Sequence, residues 1–126
     1  MERLVTSHLK LGIIAGGQLA KMLVQEASKW DFSTFVLDRE KNCPAGSIAS
    51  VFQQGDPLDF DDVYNFGKKV ETLTFELENI NVEALHQLKT EGINVVPDPA
   101  VLELIQDKGS QKEFYESHDI PTAPYQ

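Results

Sequence analysis

Short apolar runs recur along the chain, separated by stretches whose apolar residues follow helical spacing. Leu11-Gly-Ile-Ile-Ala15 is rich in β-branched residues and bounded by glycines, the pattern of a buried strand. Gly16-Gly17 is a turn signal. From Gln18 to Lys29, Leu19, Ala20, Met22, Leu23 and Ala27 predict an amphipathic helix, with Trp30 closing it against a sheet. Thr34-Phe-Val-Leu37 predicts a second strand ended by Asp38, and Asp38 to Ser47 a polar loop. Ile48 to Gln53 predicts a short third strand. Gly55-Asp56-Pro57 is a turn, and Asp59 to Lys69 predicts a helix with Phe60, Val63, Tyr64 and Phe66 facing inward. Asp59, Asp61 and Asp62 suit its N-terminus, where the backbone dipole favours negative charge.

Thr72-Leu-Thr-Phe75 is expected as the fourth strand, Glu76 to Asn79 as a loop, and Val82 to Thr90 as a helix stopped by Gly92. Ile93 to Val96 predicts a fifth strand, broken by Pro97 and Pro99. Helices are expected over Ala100 to Ile105 and Ser110 to Ser117. Alternation of this kind predicts an α/β fold: a doubly wound, Rossmann-like, mainly parallel sheet with helices on both faces. Ligands in such sheets bind outside the carboxyl ends of the strands. That directs attention to Ala15–Leu19, Asp38–Ala45, Glu76–Asn79 and Pro97–Asp98.

Composition narrows the function. The chain has 126 residues, the size of one domain, and a formal net charge of −9. That charge opposes a phosphate backbone or an anionic membrane, so neither nucleic acid nor membrane is an expected partner. No apolar stretch is long enough to span a bilayer, and Met1 to Lys10 holds no signal-peptide run. The single Cys43 fits a reducing, cytoplasmic setting and has no histidine near it in sequence to make it a catalytic thiol.

Three stretches carry candidate chemistry. Ala15-Gly-Gly-Gln-Leu-Ala20 follows a strand and opens a helix, where free N–H groups make an anion site. It partly fits the pattern G-x-G-x-x-G/A, and Asp38 lies where a ribose-binding acid is expected, so a dinucleotide (NAD)-binding module of a dehydrogenase is one reading. A tight turn that binds nothing is another. Glu76 and Glu78 follow the fourth strand and share a face by period two. If Phe75 and Leu77 pack inside, both carboxylates point toward the ligand crevice and can accept from a ribose hydroxyl or an amine; a solvated strand end is the plainer alternative. A metal pair is disfavoured, because no histidine or third carboxylate accompanies them at ligand spacing. Lys108 and Lys112 could meet a nucleotide or simply be solvated. His8, His86 and His118 are scattered, and neither they nor Ser110 form a catalytic triad pattern.

Four segments, in order, carry a resemblance: Gly16-Gly-Gln-Leu-Ala-Lys-Met-Leu23; Val36-Leu-Asp38 with Asn42-Cys-Pro-Ala45; Thr74-Phe-Glu-Leu-Glu-Asn-Ile80; and Gln106-Asp-Lys108 with Gln111-Lys112, closed by Ile120-Pro-Thr-Ala123. Together they resemble the N-terminal, pre-ATP-grasp domain of the 5-(carboxyamino)imidazole ribonucleotide synthase family, the ATPase subunit of phosphoribosylaminoimidazole carboxylase in the ATP-grasp superfamily. The resemblance runs from about Lys10 to the end. It implies substrate contacts from Gly17, Gln18, Leu19 and Glu76 to 5-aminoimidazole ribonucleotide, and an ATP contact from Lys108. Lys112 matches a lysine at the domain junction. The implied reaction is carboxylation of the ribonucleotide's exocyclic amine with bicarbonate, activated by ATP with Mg2+, in a cytoplasmic homodimer of purine biosynthesis.

Departures from the family pattern have physical consequences. Ala15 and Ala20 replace common glycines; alanine is comfortable at negative φ, so the turn is expected to keep φ below zero at Ala15. Ser50 replaces a usual aspartate. Lys108 in place of arginine would hold ATP as a point charge instead of a planar fork. Residues 1–119 are expected to form the domain and 120–126 to begin a linker into an ATP-grasp domain. The metal ligands implied by the resemblance belong to that further domain, no catalytic residue is assigned here, and the chain alone is expected to be inactive.

Overall fold

A computed structural model of the chain describes residues 8–123. Among the described residues, strands β1 (Lys10–Ile14), β2 (Ser33–Asp38), β3 (Val51–Gln54), β4 (Thr72–Phe75) and β5 (Asn94–Val95) form one sheet. All neighbours are parallel, in the order β3-β2-β1-β4-β5. Helices α1 (Gln18–Ser28), α2 (Phe60–Gly67), α3 (Val82–Thr90), α4 (Pro99–Gln106) and α5 (Lys108–Ser117) connect and follow them. The strand order reverses at β1, which has β2 on one side and β4 on the other; a crevice opens there in folds of this kind.

Both faces of the sheet are covered, which is why Ile13-Ile14 and Val36-Leu37 are buried in consecutive pairs. Ile14, Leu37 and Leu73 pack with Val63 and Phe66 of α2, Ala84, Leu85 and Leu88 of α3, and Leu102 of α4. Ile13 and Val36 face Ala20 and Val24 of α1, with Cys43 and Ala45 from the loop after β2. The expected doubly wound architecture is therefore the observed one. Side-chain caps start most of the helices: Asp59 accepts from Asp62 N–H at 2.9 Å, Asn81 from Ala84 N–H at 2.9 Å, and Asp98 from Ala100 N–H at 2.9 Å with Pro99 at the first position.

Several sequence expectations need correction. The inward stripe of α1 is Ala20, Val24 and Ala27, whereas Leu19 is 65% and Met22 61% exposed. Small residues face the sheet because α1 lies close to it; the larger ones at 19, 22 and 23 are left outside. Trp30 does not close the helix: it is 70% exposed, because the chain turns away through Asp31, a residue with φ +58°. Phe60 is likewise exposed, stacked on Tyr64 at a 5.8 Å centroid distance. The third strand starts at Val51, since Ala45 to Ala49 form a turn in which Ala49 N–H donates to Ala45 O at 3.0 Å. The last helix starts at Lys108, because Asp107 caps it by accepting from Gly109 N–H at 2.9 Å.

Ala15 is the sharpest departure. Its φ is +77°, not negative. Its amide still donates to Leu37 O at 2.8 Å, extending the β1–β2 ladder by one residue. The left-handed conformation then turns the next two amides toward side chains from β2 and the loop after β4. Positive φ at a buried alanine costs about 1–3 kcal/mol, which the surrounding hydrogen bonds must offset. Residues 1–7 and 124–126, which include most of the leading segment searched for a signal peptide and the end of the expected linker, lie outside the described residues.

Candidate functional site

The turn after β1 gathers backbone and side chains from three strands. Gly16 N–H donates to Asp38 Oδ2 at 2.7 Å, and Gly17 N–H donates to Glu76 Oε2 at 2.8 Å. The other Asp38 oxygen accepts from Glu40 N–H at 2.8 Å. Asp38 thus builds the loop after β2 instead of reaching out for a ribose. Beneath the turn lies Cys43, buried; burial pushes its thiol above the ordinary value. The thiol is protonated and enclosed near neutral pH, so it is packing, not chemistry. Ala45 N–H closes the loop onto Gly16 O at 2.8 Å.

Glu76 comes from the end of β4. Its own N–H donates to Ile14 O at 3.0 Å, so its backbone continues the ladder beside β1. In that register Thr72, Thr74 and Glu76 follow one another on the α1 side of the sheet. A cleft of about 210 Å³ opens between Glu76 and α1, lined by Ile13, Leu19, Ala20, Leu23 and Phe75. Exposure of Leu19 and Leu23 now has a structural place: they form the apolar wall opposite the carboxylate. An apolar wall with one fixed polar group is the usual makeup of a small-molecule site.

Of the predicted residues, Gly17, Leu19 and Glu76 come together here. Gln18 starts α1 and is exposed. Glu78 parts company with Glu76: the Glu76 amide makes the last ladder bond beside β1, so period two does not hold beyond Glu76, and Glu78 is exposed. Leu77 does not pack inside either; it is exposed at a second opening, beside Ala15, Asp38, Arg39, Glu40 and Pro57. Lys108 opens α5 and is exposed, outside the lining of the Glu76 cleft. Lys112 anchors the segment after α5 through Thr122 Oγ1 at 2.8 Å and Ala123 O at 3.2 Å. Ser50 and Thr34 exchange hydrogen bonds at 3.1 Å between side chain and backbone, a structural role at the sheet edge.

Gln106 was legible only as part of a motif, without a role. Its Nε2 donates to Glu78 O at 2.8 Å and Ile80 O at 3.0 Å, tying the end of α4 to the loop that follows Glu76. His86 pairs with Glu103 at 2.8 Å and His118 stacks on Phe114 at 4.2 Å, so neither joins the site. Among the described residues, no group of three or more His, Cys, Asp or Glu stands where it could hold a metal ion.

Comparison with known proteins fits this geometry. Residues 8–106 match the family described as the ribonucleotide synthetase preATP-grasp domain. N5-carboxyaminoimidazole ribonucleotide synthase of Brucella melitensis is 34% identical over 118 residues, which is 91% of this chain and 32% of the relative. The crystal structure of N5-carboxyaminoimidazole ribonucleotide synthetase from Thermotoga maritima superposes with a TM-score of 0.85 at 40% identity, covering 92% of this chain and 32% of that one. N5-carboxyaminoimidazole synthase from Aspergillus clavatus, solved in complex with ADP and 5-aminoimidazole ribonucleotide, gives a TM-score of 0.85 at 29% identity over 94% of this chain and 31% of its own. The chain therefore spans about a third of the length of these relatives. A doubly wound sheet, a carboxylate-bonded Gly-Gly turn at its switch point and this match over 99 residues (8 to 106) place the chain in the ribonucleotide synthetase preATP-grasp domain family.

Proposed function

We propose that this chain is the substrate-side domain of an ATP-dependent carboxylating ligase, and that the cleft between Glu76 and α1 receives 5-aminoimidazole ribonucleotide. The observation that carries the reading is the Glu76 carboxylate, held at one oxygen by Gly17 N–H and open toward a cleft walled by Leu19 and Leu23. A carboxylate so placed accepts from ribose hydroxyls or an amine, while the leucines cover the apolar side of the ligand. The Aspergillus clavatus relative was solved with that ribonucleotide and ADP and also with ATP, and the Staphylococcus aureus relative with ADP.

The dehydrogenase alternative loses its footing on the same geometry. A dinucleotide pyrophosphate would need the amides of the Gly-Gly turn, and Asp38 and Glu76 occupy both.

ATP would meet this chain at Lys108, an exposed point charge that opens α5. When bound, ATP supplies the phosphoryl group that activates bicarbonate, and Mg2+ offsets its charge. No step through magnesium rests on this chain's carboxylates. The chain's own part is to bind and orient the ribonucleotide, with residues 1–119 as the domain and 120–126 as a lead toward an ATP-grasp portion. Such an enzyme would work in the cytoplasm, and an apolar groove between α4 and α5, lined by Val101, Leu104, Ile105 and Phe114, offers a face for a homodimer or for that further portion.

The test is a chimera in which this chain replaces the matching third of the Thermotoga maritima synthetase. ADP release that requires both bicarbonate and 5-aminoimidazole ribonucleotide is expected, with none from the chain alone. A chimera that binds ADP but never responds to the ribonucleotide refutes the assignment, and saturable NADH binding by the chain restores the dehydrogenase reading.

A further inference from the structure

We infer that Gly17 acts as the positioning residue for Glu76, and that the cleft therefore receives a hydrogen-bond donor, a hydroxyl or amine, and not a phosphate. The ligand's identity rests on the proposed function; the role of Gly17 does not.

Three observations combine. Gly17 N–H donates to Glu76 Oε2 at 2.8 Å. A Cβ at position 17 would stand 2.7 Å from Oε1 and 3.0 Å from Oε2, so any side chain there displaces the carboxylate. The backbone at Gly17, φ −73° and ψ −164°, is open to every residue, so the requirement for glycine is the approach of Glu76 and not the conformation. With its amide bonded to Ile14 O and one oxygen bonded to Gly17, Glu76 is fixed at both ends. Among the described residues nothing else bonds its carboxylate, and Oε1 is left for a ligand.

The same arrangement decides the ligand chemistry. No side chain caps α1; Glu76 stands at its positive end, and Asp38 takes the amide of Gly16 beside it. Two carboxylates at this turn repel a phosphate where dinucleotide folds attract one. Oε1 can accept but not donate, so the complementary group is a donor. Gly17 therefore reaches the ligand through Glu76, a different role from the direct contact implied by the resemblance.

The test uses the 15N- and 13C-labelled chain and its Gly17→Ala and Glu76→Gln variants. A through-hydrogen-bond coupling between the Gly17 amide nitrogen and the Glu76 carboxyl carbon is expected, and Glu76→Gln should shift the Gly17 amide. Gly17→Ala should keep the fold, shown by unchanged amides in β2, β3 and β5, yet abolish that coupling and shift the Glu76 carboxyl carbon. A Gly17 amide that ignores Glu76, or Gly17→Ala with Glu76 unmoved, overturns the inference. Titration with inorganic phosphate should leave Gly16 and Gly17 unshifted; saturable shifts there overturn the donor assignment. Titration with 5-aminoimidazole ribonucleotide should shift Glu76 and Leu19. Silence to the ribonucleotide, with Gly17 still coupled to Glu76, supports the positioning role and removes the substrate proposed above.

Discussion

The turn after β1 and the helix after α4 are two parts of one expected site, and they are built differently. At the turn, Gly16 is buried, two amides are bonded to carboxylates from β2 and β4, and Cys43 fills the space beneath. Helix α5 buries none of its residues and is held at its start by Asp107. The difference teaches that the Glu76 carboxylate is fixed within this domain, whereas Lys108 stands exposed on a helix that rests on α4.

Several substitutions and a change of pH press on that contrast. The largest effect is expected at Leu102, on the buried face of α4: Leu102→Ala should cost roughly 2–5 kcal/mol in urea denaturation, while Phe114→Ala on α5 should cost under about 1 kcal/mol. Equal losses would mean that α5 belongs to the same cooperative core. Next, a methyl at Gly16 would meet Cys43 Sγ at 2.5 Å and Val36 Cγ1 at 2.9 Å, so Gly16→Ala should lose roughly 1–3 kcal/mol. At Gly109 the same methyl meets only Asp107 Oδ1 at 3.3 Å, and Gly109→Ala should gain up to about 1 kcal/mol from helix propensity. Third, Ala15→Gly releases the positive φ; set against the greater freedom of the unfolded chain, a net gain of about 1 kcal/mol is expected by thermal melting. A loss there would show that Ala15 stores no strain.

The smallest effect is a pH response confined to α5. The Ser110 hydroxyl, then the Ser110 and Gly109 amides, hold the Asp107 carboxyl below the usual aspartate range. A depressed folded value means that the cap stabilises fully above the ordinary aspartate value and is lost as pH falls through the depressed one. Acidification should therefore loosen the start of α5, visible as shifts of the Gly109 and Ser110 amides, and Asp107→Ala should produce the same change at neutral pH.

The sheet and its wrapping were legible because paired apolar residues such as Ile13-Ile14 and Val36-Leu37 permit little else than a strand covered on both faces. Positions with a Pro or acidic start, such as Asp98-Pro99, read correctly as helix openings. What could not be read was which apolar side chains would stay outside. Leu19 and Leu23 look like core by spacing, yet the close packing of Ala20 and Val24 on the sheet leaves them to line the cleft. The Gly-Gly pair was legible as a tight turn between strand and helix, but not that Asp38 and Glu76, 22 and 59 residues away, would occupy its amides. Contacts at such separation depend on the sheet order, which no local pattern encodes.

The central claim is that Glu76 holds the ribonucleotide from this domain while the nucleotide is held elsewhere. In the chimeric synthetase, Glu76→Gln can keep an acceptor toward Gly17 but turns an amide toward the ligand, setting donor against donor. The KM for 5-aminoimidazole ribonucleotide should rise at least about tenfold, the loss of one charge-assisted hydrogen bond, with the KM for ATP unchanged. An unchanged KM for the ribonucleotide, or an equal rise in both, would contradict the account.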